Sequence, residues 1–405
     1  MALRNLPRRI RFAIVAATSA ALVIAAGLIV WRVLRPSEVV TAATVSYPEA
    51  SIPVPGKVGA LISTPLMVDD RIRIFAKKRE VWSDGPPSYH YERSAYWSYR
   101  RWPAQVTGVT LVRAATPIVV TAWSDGMLIG IDAETGKVAW RTKGDPLAAE
   151  YTGRRTGADT VYTPPGLFTS GSAIITSSTS SLRSYQGDGT LSWSRPMPVS
   201  PECLGTELTT QTQWLVLDTC AKVIKRFDVS TGTELPSLAA SSMEPVSCLI
   251  GHSQCQAMRT GKGWLLAGSD PIESPPLAAP GSALVDGVVI TLADDDKAIG
   301  HDPVTGQTLW SWQSPAPIKL LAPGTDRVFL LTYDRQLITL NPKNGAEFVW
   351  AGINLLHDPE QPYDIHATYT SNRYIVLERT NPGEPAESKD DTYYFTNRPV
   401  LIAIG

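Results

Sequence analysis

The chain has 405 residues, 37 Lys and Arg against 38 Asp and Glu, and 30 Gly, 32 Pro, 12 Trp and 14 Tyr, a composition of short strands and turns more than of long helices. Six arginines (Arg4, Arg8, Arg9, Arg11, Arg32 and Arg35) precede the first acidic residue, Glu38, so the remainder holds 31 basic against 38 acidic groups, a net of −7. An acidic body is a poor fit to nucleic acid, which is held largely by Lys and Arg on phosphates.

Residues 1–11 are basic and read as a cytoplasmic N-terminus. The uncharged stretch FAIVAATSAALVIAAGLIVW at residues 12–31 is long enough, at ~1.5 Å per residue, for a transmembrane helix across ~30 Å of hydrocarbon. Four arginines precede it, which places the N-terminus inside, and Trp31 suits the outer interface. A cleaved signal peptide would have a shorter apolar core and an Ala-x-Ala-like exit, and neither is present. Residues 32–56, rich in Pro, Ser, Thr and Ala, read as a stalk, and residues 57–405 as one extracytoplasmic body.

That body repeats a phrase: an apolar strand, then Asp or Asn, two variable residues, Thr or Asn, Gly, and a short strand ending in Trp. Clear copies are LIGIDAETGKVAW at 128–140, IGHDPVTGQTLW at 299–310 and LITLNPKNGAEFVW at 337–350; RSYQGDGTLSW at 183–193 and KRFDVSTGTEL at 225–235 are weaker, the last with Leu235 in place of Trp. Asp132, Asp228, Asp302 and Asn341 open a hairpin turn through side-chain bonds to backbone amides. Gly136, Gly189, Gly232, Gly306 and Gly345 close it in the left-handed region.

Upstream strands such as PIVVTAWSDG and VDGVVITLADDD complete antiparallel units of three or four strands. Such a small sheet must stack on copies of itself, and a period of ~40 to 50 residues implies a β-propeller of four-stranded blades. The fold class is therefore all-β. Counting from Trp97 gives seven blades; the rival count, eight, adds a blade from residues 59–91, including RIRIFAKK. The seven-blade count pairs Tyr96 to Arg101 with Leu401 to Ile404 to close the ring.

The phrase resembles the pyrroloquinoline-quinone-like repeat, shared by quinoprotein dehydrogenases and by non-enzymatic propellers such as the assembly scaffold BamB. The resemblance runs from about residue 59 to the C-terminus. It implies that Trp97, Trp140, Trp193, Trp310 and Trp350 dock on the turn of the neighbouring blade, with one contact in doubt at Leu235. Enzymatic members carry an adjacent Cys-Cys pair and acidic calcium ligands, and neither motif occurs here. No catalytic, cofactor-binding or metal-binding residue is therefore assigned, pyrroloquinoline quinone included.

Cys203, Cys220, Cys248 and Cys255 are an even set in a compartment favouring oxidation; of three connectivities, Cys203 with Cys220 and Cys248 with Cys255 is the sequence-local one. The five histidines, His90, His252, His301, His357 and His366, show no ligand spacing. Asp294, Asp295 and Asp296 read as a turn between strands ahead of a cation site. The aromatic and basic segment 82–102 is read mainly as packing in a closing blade, with its loop DGPPSYHYERS the best binding edge; Tyr89, Tyr91, Arg93 and Arg100 are the candidate partner contacts. Residues 380–391, TNPGEPAESKDD, read as a mobile loop. The function expected is a non-catalytic, single-pass scaffold on the extracytoplasmic side of the cytoplasmic membrane, binding an envelope protein or glycan. The alternative is a quinone-dependent oxidoreductase.

Overall fold

The computed structural model describes residues 7–50, 55–87, 95–147, 161–323, 326–352, 364–370, 373–384, 390–396 and 399–404. A helix, Arg8–Leu34, opens the chain. Its 27 residues span about 40 Å, and its window Phe12–Arg32 is apolar enough to cross a membrane with none of it buried against the body. Leu22, Val23, Ile24, Leu28 and Trp31 are all more than half exposed. A helix apolar all round and unpacked is costly in water.

Among the described residues the strands form eight antiparallel sheets, each laid down from the hub outward. Blade 1 runs through Leu66–Val68, Ile72–Lys77, Glu80–Asp84 and Trp97–Trp102; blade 2 covers Val106–Arg113 to Val138–Lys143. Blades 3 to 7 begin at Leu167–Ser170, Leu204–Thr209, Glu244–Val246, Ala283–Val285 and Ile318–Pro323. Blade 8 holds Asp364–Thr370, Tyr374–Thr380 and Val400–Ala403, and its outermost strand, Gly56–Ala60, comes from the other end of the body.

Burial follows from stacking. Middle strands are covered on both faces, so Gln213–Asp218 and Val328–Thr332 are buried throughout. Outer strands such as Val138–Lys143 alternate half-buried with exposed. The buried apolar residues fall into eight clusters, each joining two successive blades. The eighth packs Met67, Phe75 and Trp82 of blade 1 on Tyr374, Val376 and Leu401 of blade 8, which closes the ring.

Three sequence expectations change. The blade count is eight, not seven, because residues 66–84 form three strands ahead of Trp97–Trp102. Ring closure pairs Gly56 with Ala403 and Ala60 with Val400, whereas residues 97–102 are the fourth strand of blade 1. The segment read as a stalk is partly sheet: Ser37–Thr41 adds a fifth strand to blade 1, pairing Ser37 with Trp102 and Thr41 with Ser98. The exposed edge of Trp97–Trp102 supplied hydrogen bonds that a Pro/Ser/Thr-rich reading of composition could not reveal.

Candidate functional site

Each repeat turn is built locally. In blade 2 the Thr135 amide and hydroxyl both donate to Asp132 Oδ1, at 2.8 and 2.9 Å, and the Gly136 amide donates to the Asp132 carbonyl at 2.8 Å. Asp228 with Thr231 and Asp302 with Thr305 repeat the arrangement. These bonds hold Asp302 below the usual carboxylate range, with the Thr305 amide the largest cause.

The turns are sockets. Trp97 Nε1 donates to the Ala133 carbonyl of the next blade at 2.9 Å, Trp140 to Gly187 at 2.9 Å, Trp193 to Val229 at 2.7 Å and Trp310 to Pro342 at 2.7 Å. The Trp350 side chain lies outside the described residues. The closing glycines do a second job that turn chemistry did not reveal: a Cβ on Gly136, Gly189, Gly232 or Gly345 would stand 2.3, 2.4, 2.9 or 2.6 Å from the docked Trp. Gly306 receives Pro276 instead, at 3.6 Å from such a Cβ. Gly130 and Gly300, two residues before the turn aspartates, were missed; each lies beneath its own hairpin's Trp, where an added Cβ would stand 2.2 or 2.3 Å from the ring. Their signal was present as a Gly-x-Asp spacing in two of the three clear copies. Trp310→Phe should lower stability by about 1 kcal/mol, the net value of one hydrogen bond; urea unfolding of the oxidised protein checks it.

At Leu235, where the Trp is missing, blade 4 uses a different lock. Gln213 Nε2 donates to the carbonyls of Gly268 and Ser269 in blade 5 at 3.0 and 2.7 Å. Arg226, 2 % exposed, donates to Gln213 Oε1 at 3.1 Å and also to the Ser269 carbonyl. Charged and amide donors thus replace the indole.

The disulfides join Cys203 to Cys220 and Cys248 to Cys255. The first ties the start of blade 4's inner strand to the turn after its second. The second staples residues 248–255 of blade 5 into a loop that enters the hub. There the Thr209 amide donates to the His252 carbonyl at 2.9 Å and the Cys255 amide to the Thr209 carbonyl at 2.7 Å. The Thr169 amide donates to Ser253 Oγ at 3.0 Å. Thr169 and Thr209 belong to the inner strands of blades 3 and 4, so the loop fills central space. Ile250 joins the apolar cluster of blades 1 and 2, and Gly251 abuts the Tyr162 carbonyl.

Beside this loop remains a cavity of about 240 Å³, lined by Pro164, Phe168, Thr206, Glu207, His252 and Ser253 among others. Burial raises the Glu207 carboxyl to about 7. Burial also lowers His252, whose Nδ1 lies 3.1 Å from the Glu207 carbonyl. Burial thus disfavours the charged form of both side chains, which suits water or a small neutral polar group. Because the folded state holds the Glu207 proton more tightly than the ordinary value of 4.5, its contribution is fully present below pH 4.5 and lost as pH rises through about 7. Glu207→Gln should remove that loss, on the order of 3 kcal/mol, as urea unfolding of both proteins at acid and alkaline pH would show.

The aromatic segment of blade 1 is mostly packing. Trp82 stacks on Phe75 at 5.0 Å, Trp97 and Tyr99 are fully buried, and Tyr96 OH donates to the Glu134 carbonyl at 2.7 Å. Tyr89, Tyr91 and Arg93 lie outside the described residues. Arg100 does not join that loop's flanks: it pairs with Glu80 at 2.8 Å, three residues along the strand from Trp97, or ~10 Å. Asp294 and Asp295 adopt left-handed turn backbone, at φ 53 and 56°. His301 bonds Thr291 at 2.9 Å within its own blade. His90 and His357 lie outside the described residues, as does the His366 side chain. In the segment 380–391, residues 385–389 also lie outside them, and a short helix, Asp390–Tyr393, follows. Among the described residues, the tight donor group Cys203, Asp218 and Cys220 contains the disulfide, and Asp218 accepts from the Ala221 amide at 2.9 Å.

Residues 221–353 match the family model described as outer membrane protein assembly factor BamB. No curated protein matches. Among solved structures, BamB from Moraxella catarrhalis is 15 % identical, covering 87 % of this chain and all of that one, with a TM-score of 0.43. The computationally designed Ika8 protein is 14 % identical over 88 % and all of that chain (TM-score 0.44). Saccharomyces cerevisiae Sqt1 is 9 % identical over 90 % and 99 % (TM-score 0.42). The chain is an eight-bladed β-propeller whose repeats over residues 221–353 are of the PQQ and BamB type.

Proposed function

We propose that this protein is a non-catalytic scaffold, anchored in the cytoplasmic membrane by its N-terminal helix with the propeller outside, that holds an envelope protein or glycan partner. The observation that carries this reading is the stapled loop in the hub: space near the axis that a flat cofactor would need is taken by the chain's own residues 248–255. Among the described residues that line it, the remaining cavity offers one carboxylate, Glu207, not the paired acidic groups a calcium-bound quinone calls for. Two disulfides fit an oxidising compartment, and the apolar helix fits a membrane span. The match to the BamB family model supports a scaffold over an enzyme.

The partner-binding edge proposed remains the loop of blade 1 holding Tyr89, Tyr91 and Arg93. Tagged full-length protein, crosslinked in membranes, should capture a defined partner, and Tyr89→Ala, Tyr91→Ala and Arg93→Ala together should lose it with the melting temperature unchanged. An unchanged capture profile removes the loop from the reading. Tight binding of pyrroloquinoline quinone with Ca²⁺, coupled to dye reduction, would replace the scaffold by the oxidoreductase.

A further inference from the structure

Only Arg35 and Pro36 separate the end of the helix at Leu34 from the strand Ser37–Thr41, so Ser37 lies within ~11 Å of the helix end. Ser37 is paired with Trp102, at the end of the outer strand of blade 1. The hairpin turn at residues 77–80 shares that end: the Arg101 amide donates to the Arg79 carbonyl at 3.2 Å, and the Val106 amide to that of Lys78 at 3.0 Å. The Arg79 guanidinium lies 3.9 Å over the Trp102 ring. Lys77 and Lys78 are exposed, and the Arg100 side chain is 62 % exposed.

The protein thus gathers Lys77, Lys78, Arg79, Arg100 and Arg101 on one rim of a body whose net charge is −7, beside the point where the chain leaves its apolar helix. Glu80 and Asp125 are the acidic groups paired there, with Arg100 and Arg101 at 2.8 and 2.9 Å. Arg101 is in addition opposite Glu38, which bonds Arg141. The hairpin lysines have no such carboxylate partner among the ion pairs of the described residues. A helix of 27 residues exceeds ~30 Å of hydrocarbon, so Arg32 and Arg35 fall in the headgroup layer and bring this rim to the same depth.

We propose that this rim of blade 1 rests on an anionic phospholipid surface, so that the propeller is held against the bilayer with the opposite ends of its blades facing away. The proposal rests on the helix being a membrane span. The short connection and the fifth strand prevent a swinging stalk, and the basic residues supply headgroup contacts. The Asp132 turn and the ends of the strands flanking the loop with Tyr89 and Tyr91 lie at the far end of their blades, where a partner would find them uncovered.

All four cysteines are in disulfides, so one new cysteine takes a label alone. Full-length Lys78→Cys and, as a far-side control, Lys137→Cys would be labelled with bimane and placed in phosphatidylcholine vesicles, with or without phosphatidylglycerol, carrying a headgroup quencher. Quenching at 78 should exceed that at 137 about twofold or more when phosphatidylglycerol is present, and the excess should shrink, without vanishing, with Lys77→Glu beside the label or in high salt. Co-flotation with vesicles but equal quenching at both positions overturns the rim contact alone. Failure of the full chain to co-float overturns the membrane span and this proposal with it.

Discussion

Replacing Arg73 by Met should destabilise the oxidised protein by about 3 to 5 kcal/mol. Arg73 and Asp84 are cross-strand partners in blade 1, joined by two hydrogen bonds of 2.7 and 2.8 Å, with both side chains at 0 % exposure. A bidentate guanidinium compensates a carboxylate that burial would otherwise penalise severely. Removing the cation leaves the buried carboxylate without its guanidinium at the interface of blades 1 and 8, where Phe75 and Trp82 pack. Urea unfolding without reductant measures the loss. Arg73→Met with Asp84→Leu should recover most of it, since a buried ion pair is worth little more than a well-packed apolar pair. A loss below about 1 kcal/mol for the single variant would mean that the pair is not buried as described.

Gly251→Val should expel the stapled loop from the hub. Gly251 has φ +55°, a region strained for a β-branched side chain, and a Cβ there would lie 1.4 Å from the Tyr162 carbonyl oxygen. The loop's backbone cannot yield cheaply: Thr209 pairs with residues 252 and 255, and Cys248 is bonded to Cys255. The expected cost is on the order of 3 kcal/mol, as strain and lost contacts add. Hydrogen exchange should show residues 247–256 and 161–167 losing protection together while the outer strands of blades 2 and 6 keep theirs. Unchanged protection of both segments would contradict the placement of the loop.

These two sites mark the limit of what the sequence made legible. The hairpin turns were readable because their chemistry closes within five residues: Asp132, Thr135 and Gly136 need only one another. The Trp sockets were implied by the resemblance of the repeat, and Trp140 and Trp310 each donate to a carbonyl of the following blade; the sequence-local cysteine pairing is the one observed. Blade 1 was undercounted because its loop after Asp84 has no Asp-x-x-Thr-Gly turn to announce it. Its buried Arg73 also looks, in one dimension, like a surface residue on an alternating strand. The closing strand at residues 56–60 is short and glycine-containing, and it is specified by Val400–Ala403 at the far end of the chain. The hub loop was unreadable for the same reason, since Ser253 meets Thr169 across 84 residues. Gln213 and Arg226 replace a tryptophan through polar contacts that no repeat pattern marks.

Ring closure by the strand at residues 56–60 ties the anchor segment, the last blade and the blade count together. It can be tested with Ala60→Cys and Val400→Cys, whose backbones are paired partners and so fall within reach of a disulfide. Peptide mapping of the oxidised protein should show a bond between positions 60 and 400, formed without loss of folded protein. No bond at this pair, together with efficient bonding of a cysteine at 99 to one at 402, would contradict the closure and return the ring to seven blades.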